Sequence, residues 1–131
     1  MPSPTPESGV IAVVRQQGCY LVIRRSQTVR APGMLCFPGG GVEKGESQEE
    51  ALIRELEEEL NAQAQPIRPI WTCRSASGIP LTWWEAELAS PQVSANPDEV
   101  EAIFWLTQTC LLSQLDLLET NRNFLHEFVT S

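Results

Sequence analysis

Positive charge is scarce in this sequence: nine lysines and arginines stand against seventeen aspartates and glutamates, for a net charge of −8. A chain so acidic lacks the basic surface that long nucleic acids need to shed their counterions, which argues against such partners. Histidine occurs once, at His126 in an expected helix, and no reactive serine motif accompanies it, so triad chemistry has no support. The four cysteines, Cys19, Cys36, Cys73 and Cys110, lie far apart and form no Cys-x-x-Cys pair. Zinc binding is therefore not expected, and their apolar neighbours suggest reduced, packed thiols. Long hydrophobic runs are missing too. With no membrane-spanning stretch and no signal-peptide pattern, the expected location is the cytoplasm, away from membranes.

What is present suits one globular domain: 131 residues, 42% hydrophobic and 20% charged. Residues 1–8 are expected to form a flexible tail, because Pro2, Pro4 and Pro6 oppose regular pairing, and residues 9–131 to form the domain.

The densest information lies in residues 37–62, FPGGGVEKGESQEEALIRELEEELNA. Gly39, Gly40 and Gly41 open a loop that lets the backbone approach a ligand closely. Ser47 with Glu50 reads as a capping box, and Asn61 suits a left-handed helix end. Ala51, Leu52, Ile53, Leu56 and Leu60 recur at helical spacing as the apolar side. Glu55, Glu58 and Glu59 fall at i, i+3 and i+4 on one face beside that stripe. Like charges so placed destabilise an isolated helix by about 0.2–0.5 kcal/mol per pair. Two readings follow from composition: a solvated acidic face, or a site where a hard divalent cation relieves the repulsion and shares its shell with phosphates.

The spacing resembles a known signature. Gly40, five residues, Glu46, seven residues, then Arg54-Glu55-Leu56-Glu57-Glu58-Glu59 is similar to the box of the Nudix hydrolases, and departs from it only at Asn61, where the family has glycine. That departure is mild, since the position demands a backbone conformation that Asn tolerates. The resemblance implies an α/β Nudix fold, a mixed β-sheet sandwiched between α-helices. It implies that Glu55, Glu58 and Glu59, with the Gly39 carbonyl, hold Mg²⁺, for which Mn²⁺ is a substitute. It also implies that Glu46 and Arg54 pair to fix the loop against the helix.

The remaining chain carries further candidates. Residues 9–14 (GVIAVV) read as a strand buried on both faces, and Gln16-Gln17-Gly18 as a turn into a second strand over 19–24. Arg24 and Arg25 close that strand; in the MutT-like branch the second arginine of such a pair approaches the substrate phosphates, which points to Arg25. A short strand is expected over 34–37. Strands follow over 66–75 and 81–88, where one of Trp83 and Trp84 belongs to the core and the other is either packing or a platform for a base. A last strand spans 102–106. In MutT-like proteins a glutamate six residues before a tryptophan of this strand completes the metal site, which falls on Glu99, with Glu101 as the alternative. Thr107 caps a short helix to Leu112, and Phe124, Leu125 and Phe128 face inward from a final one. Asn121 stands where the branch keeps an asparagine for a purine base, though an asparagine there also serves as a helix cap.

The expected protein is therefore a metal-dependent Nudix hydrolase, MutT-like, cutting a nucleoside triphosphate to monophosphate and pyrophosphate. An oxidised purine such as 8-oxo-dGTP is one candidate. Glu55 is the expected base, with Glu99 second, and the enzyme is expected to be a monomer or homodimer. The alternatives are another Nudix substrate (ADP-ribose, a dinucleoside polyphosphate or a nucleotide sugar) and a non-catalytic nucleotide sensor, which the intact acids oppose.

Overall fold

The computed structural model describes residues 6–90 and 92–129. The expected tail over 1–8 lies mostly outside the described residues. Within them, the Ser8 carbonyl accepts the Val42 N–H at 2.9 Å and so extends the first strand ladder.

Strand β1 (Gly9–Val13) leads through β2 (Arg15–Gln16) into β3 (Cys19–Arg25). The tight turn between β2 and β3 has Gln17 at φ 52° and Gly18 at φ 78°, the paired positive values that match the twist of a two-residue hairpin. Next come β4 (Leu35–Cys36), β5 (Gly39–Gly41) and helix α1 (Gln48–Leu60). Strands β6 (Ala64–Arg74), β7 (Pro80–Leu88) and β8 (Val100–Leu106) follow. Helices α2 (Gln108–Leu112) and α3 (Glu119–Phe124) come next, and Leu125–Val129 continues as a wider π-helical turn.

Two sheets form. One has the order β5-β1-β7-β6, with β1 and β7 parallel and the other pairs antiparallel. The other joins β3 to β2, β4 and β8, all antiparallel. Pro66 and Pro69 sit on the edge strand β6 beside its two register shifts, as residues lacking an N–H must.

Period-two alternation sorts the side chains into two cores. Val10, Ala12, Leu21, Ile23, Trp84 and Ala86 pack with Ala51, Leu52, Leu56 and Leu60 of α1. Val13, Tyr20, Val22, Phe37 and Trp83 pack with Leu111, Phe124 and Leu125 on the opposite face. The result is the expected α/β sandwich, a mixed sheet layer between helices. Leu52, Leu56 and Leu60 are wholly buried, and each contributes roughly 1.5–3 kcal/mol of burial free energy.

Two expectations need correction, and one open alternative is decided. Gly39–Gly41 is not a free loop but a strand on β1, with Gly9, Val10 and Ile11 facing Gly41, Gly40 and Gly39. Glycine is required there by space: a Cβ at Gly39 would overlap the Val10 carbonyl. Ile53 is 40% exposed, because one residue past Leu52 turns a helix about 100° off the stripe. Neither Trp83 nor Trp84 offers a platform, since both are buried. Trp83 stacks on Phe124 at 4.4 Å between ring centroids, and Trp84 donates its indole N–H to Gln48 Oε1 at 2.8 Å.

Leu56→Ala should lower stability by about 2–5 kcal/mol, whereas Ile53→Ala should stay within about 0.5 kcal/mol. Urea unfolding of the two variants checks this, and equal losses would contradict the orientation of α1.

Candidate active site

Helix α1 is held at both ends by local chemistry. Ser47 Oγ accepts the Glu50 N–H at 3.1 Å, and Glu50 Oε1 accepts the Ser47 N–H at 3.0 Å. Asn61 closes the helix at φ 50°, ψ 34°, in the left-handed region the sequence suggested. The helix thus presents Glu55, Glu58 and Glu59 with no play at its termini.

Arg54 ties this helix to the segment before it. Its Nε donates to Glu46 Oε2 at 2.8 Å, and its Nη2 donates to Glu46 Oε1 and the Gly41 carbonyl at 2.9 and 2.8 Å. The remaining Nη1 donates to Glu55 Oε1 at 2.9 Å and Glu58 Oε2 at 3.3 Å. The guanidinium beside Glu46 holds that carboxyl down to about 2, while its carboxylate partners push Arg54 upward. Gly40 lies directly under Glu55, whose carboxylate a Cβ at that position would overlap.

Two other acids each keep one buried oxygen without such a partner. Glu59 is 5% exposed; its Oε1 accepts the Gly39 N–H at 3.4 Å, and its Oε2 is buried with no hydrogen-bond partner. Glu99 Oε2 is orphaned in the same way. Burial first, then the charges of Glu55 and Glu99, raise Glu59 well above the usual carboxylate range. Burial lifts Glu55 to about 7 against the relief from Arg54, with Glu58 and Glu99 adding to the rise. Glu99 is raised by burial and by Glu58. Glu99 therefore shares a field with α1, whereas Glu101 is exposed on β8.

Arg25 is the cation of this cluster. Its Nε donates to the Arg30 carbonyl at 2.6 Å, its Nη1 lies 3.9 Å from Cys36 Sγ, and its charge eases Glu59 and Glu99. Burial pushes the Cys36 thiol up to about 11, so it stays protonated and inert. Arg24 is bound elsewhere, to the Gly33 carbonyl at 2.8 Å and to Asp116. That pair spans the chain from β3 to the loop before α3, too far in sequence for spacing to reveal.

Asn121 lies apart from the acids. It is 3% exposed; its Oδ1 accepts the Phe37 N–H at 2.8 Å, and its Nδ2 donates to Thr120 Oγ1 at 3.1 Å. It is not a helix cap, since Leu118 occupies that position. Its bond pins the end of β4 to α3.

The donor chemistry suits a hard divalent cation: orphaned carboxylate oxygens on Glu59 and Glu99 are the ligands such an ion takes, and Arg25 eases their charge without bonding either orphaned oxygen. Among the described residues no three Asp, Glu, His or Cys side chains stand grouped closely enough to form a finished metal cage. Arg54 accounts for part of this, because it draws Glu55 and Glu58 toward itself. Glu55 also borders a groove of about 850 Å³, with Gly41, Lys44, Glu46 and Arg54 along its walls.

Comparison with known proteins agrees with this geometry. Residues 4–128 match the family model described as NUDIX domain. The chain is 32% identical to "Nucleoside triphosphatase NudI" of Enterobacter sp. (strain 638), over 86% of this chain and 89% of that one. A protein of the same description from Salmonella arizonae is 43% identical over 50% of this chain and 48% of its own length. Among solved structures, MutT NUDIX hydrolase from Burkholderia pseudomallei superposes with a TM-score of 0.77 at 25% identity, covering 95% of this chain and 99% of that one. The MutT protein from Methanosarcina mazei Go1 shares the fold, with a TM-score of 0.81 at 23% identity over 98% and 96% of the two chains.

The buried acids make stability depend on pH in a definite direction. A carboxyl raised in the folded state binds its proton more tightly there, so stability falls as pH climbs from the ordinary 4.5 through about 7 for Glu55, and further for Glu59. Glu46 and Asp116 act in the opposite sense, since their pKa values are lowered, and their contribution is lost only as pH falls below the ordinary range. In metal-free buffer the melting temperature should therefore decline from pH 4.5 upward, and Glu59→Gln should flatten that decline. A wild-type profile that is flat or rising through this window would contradict the burial of these charges.

Proposed function

This chain belongs to the Nudix hydrolase family as a MutT-like member, and from that premise we propose a metal-dependent, cytoplasmic enzyme that cuts a nucleoside triphosphate to monophosphate and pyrophosphate. The observation that carries this reading is the pair of orphaned, buried carboxylate oxygens on Glu59 and Glu99 beside Glu55. The name of the relative aligned over most of both chains, a nucleoside triphosphatase, supports the choice of substrate class.

Glu55, Glu58, Glu59, Glu99 and the Gly39 carbonyl would hold the ion. A bound Mg²⁺ or Mn²⁺ would supply charge neutralisation at the phosphate oxygens and a more acidic water. The chain's own groups supply the rest. Glu55, on the face of α1 that would meet the ion, is the group assigned to take the proton of the attacking water. Its Oε1 is kept in place by Arg54 Nη1 at 2.9 Å. As the water oxygen bonds to phosphorus, the P–O bond of the bridge between the α- and β-phosphates breaks, and the bridging oxygen leaves with the electron pair on the departing phosphate group. Arg25 offers its guanidinium to the phosphates from β3.

Asn121 is the candidate for the base, an oxidised purine included. Its Oδ1 is committed to Phe37 and its Nδ2 to Thr120, so reading a base edge there requires exchange of one of those bonds. The carboxylates of the family box are all present, which weighs against a binding-only sensor.

Nucleoside triphosphates, ADP-ribose, dinucleoside polyphosphates and nucleotide sugars should be incubated in parallel with Mg²⁺, with Mn²⁺ and with a chelator. Pyrophosphate and monophosphate should appear from a triphosphate, only with metal. Glu55→Gln should lower kcat by about 10²–10⁴-fold while the melting temperature holds or rises. Orthophosphate as the first product, or full turnover in Glu55→Gln, would overturn the assignment.

A further inference from the structure

Glu99 comes from a loop nearly forty residues beyond α1 (residues 55–59 supply the other acids), yet it shares their field. Something must set that distance. The structure offers one residue that touches both sides. The Asn96 side-chain Nδ2 donates to the Glu58 carbonyl at 3.0 Å, and the Asn96 backbone N–H donates to the Glu59 carbonyl at 2.9 Å. These carbonyls belong to the last turn of α1, which has no intrahelical partner for them. On its other side, Asn96 Oδ1 accepts the Asp98 N–H at 3.1 Å, and its carbonyl accepts the N–H groups of Glu99 and Val100 at 3.0 and 2.8 Å. The Asn96 side chain thus bridges the Glu58 backbone to the turn that carries the acid outside α1, while its main chain joins Glu59 to Glu99. Ser26, 6% exposed at the end of β3, grips the same turn from below: its N–H donates to the Glu99 carbonyl and its Oγ to the Asp98 carbonyl, both at 3.1 Å.

We propose that Asn96 is a positioning residue that fixes Glu99 against Glu58 and Glu59, so that the divalent cation meets a preset spacing of carboxylates rather than assembling one. It acts through Glu99 and touches neither ion nor substrate. The proposal rests on the reading of Glu99 as a metal ligand. Its energetic logic is that of outer hydrogen bonds to metal ligands, whose loss typically costs 10–100-fold in affinity.

The test is a double-mutant cycle read by Mn²⁺ binding, from the electron paramagnetic resonance signal of the free ion, with melting temperature as a check on folding. Asn96→Ala should weaken Mn²⁺ binding by about 10-fold, Glu99→Gln should weaken it as well, and the double variant should bind no more weakly than Glu99→Gln alone. Asn96→Ser, which keeps a short acceptor for the Asp98 N–H but does not reach Glu58, should fall between wild type and Asn96→Ala, and it runs the same cycle if Asn96→Ala does not fold. Wild-type affinity in the Asn96 variants, with Glu99→Gln impaired, would overturn the proposal alone. A loss that persists in full in the Glu99→Gln background would also overturn it, since that is the mark of general loosening. Unimpaired binding by Glu99→Gln would remove Glu99 from the metal site and take the underlying assignment down too.

Discussion

Negative charge pressed against a buried apolar stripe is the constraint on which the rest of this structure turns. Leu52, Leu56 and Leu60 anchor α1 in the core, and the same turns carry Glu55 and Glu59 into places where water cannot fully solvate them. Desolvating a carboxylate without a partner costs several kcal/mol, so the fold must either neutralise these groups or supply a cation. Arg54 meets part of that need and distributes it. By spending one edge of its guanidinium on Glu46 and Gly41 and the other on Glu55 and Glu58, it couples the glycine strand, the loop and the acidic face into one unit. It makes no hydrogen bond to Glu59 or Glu99, and they keep the unsatisfied oxygens.

The glycines make sense within the same constraint. Pairing β5 with β1 brings backbone, rather than side chains, beneath Glu55 and against Val10, and only residues without a Cβ fit both contacts. The backbone amide of Gly39 then reaches Glu59. Stability and function pull against each other here: a site assembled from buried like charges is costly to the folded chain until a cation enters, and binding to the folded state returns that cost. The mixed sheet with helices on both faces supplies enough burial to carry it.

Much of this was legible in the sequence because it is local. The capping box of Ser47 and Glu50, the left-handed Asn61 and the i, i+3, i+4 acids depend on neighbours a turn away, and helix geometry fixes them. The nearly continuous β-branched run of β1 predicted two-sided burial for the same reason. What spacing could not reveal is contact at a distance. The partner of Arg24 is Asp116, that of Asn121 Oδ1 is the Phe37 amide, and that of Asn96 Nδ2 is the Glu58 carbonyl. The glycine run misled because glycine signals loops and close-packed strands alike. Trp83 and Trp84 do face opposite sides of the sheet, as a strand demands, but the helices covering both faces leave no aromatic surface free.

The most direct measurement is the anomalous scattering of Mn²⁺ in crystals grown with a non-hydrolysable nucleoside triphosphate. The account requires density bonded to the carboxylates of Glu59 and Glu99, with the polyphosphate on the same ion. Manganese bound elsewhere on this acidic surface, with those two side chains turned away from it, would contradict the account.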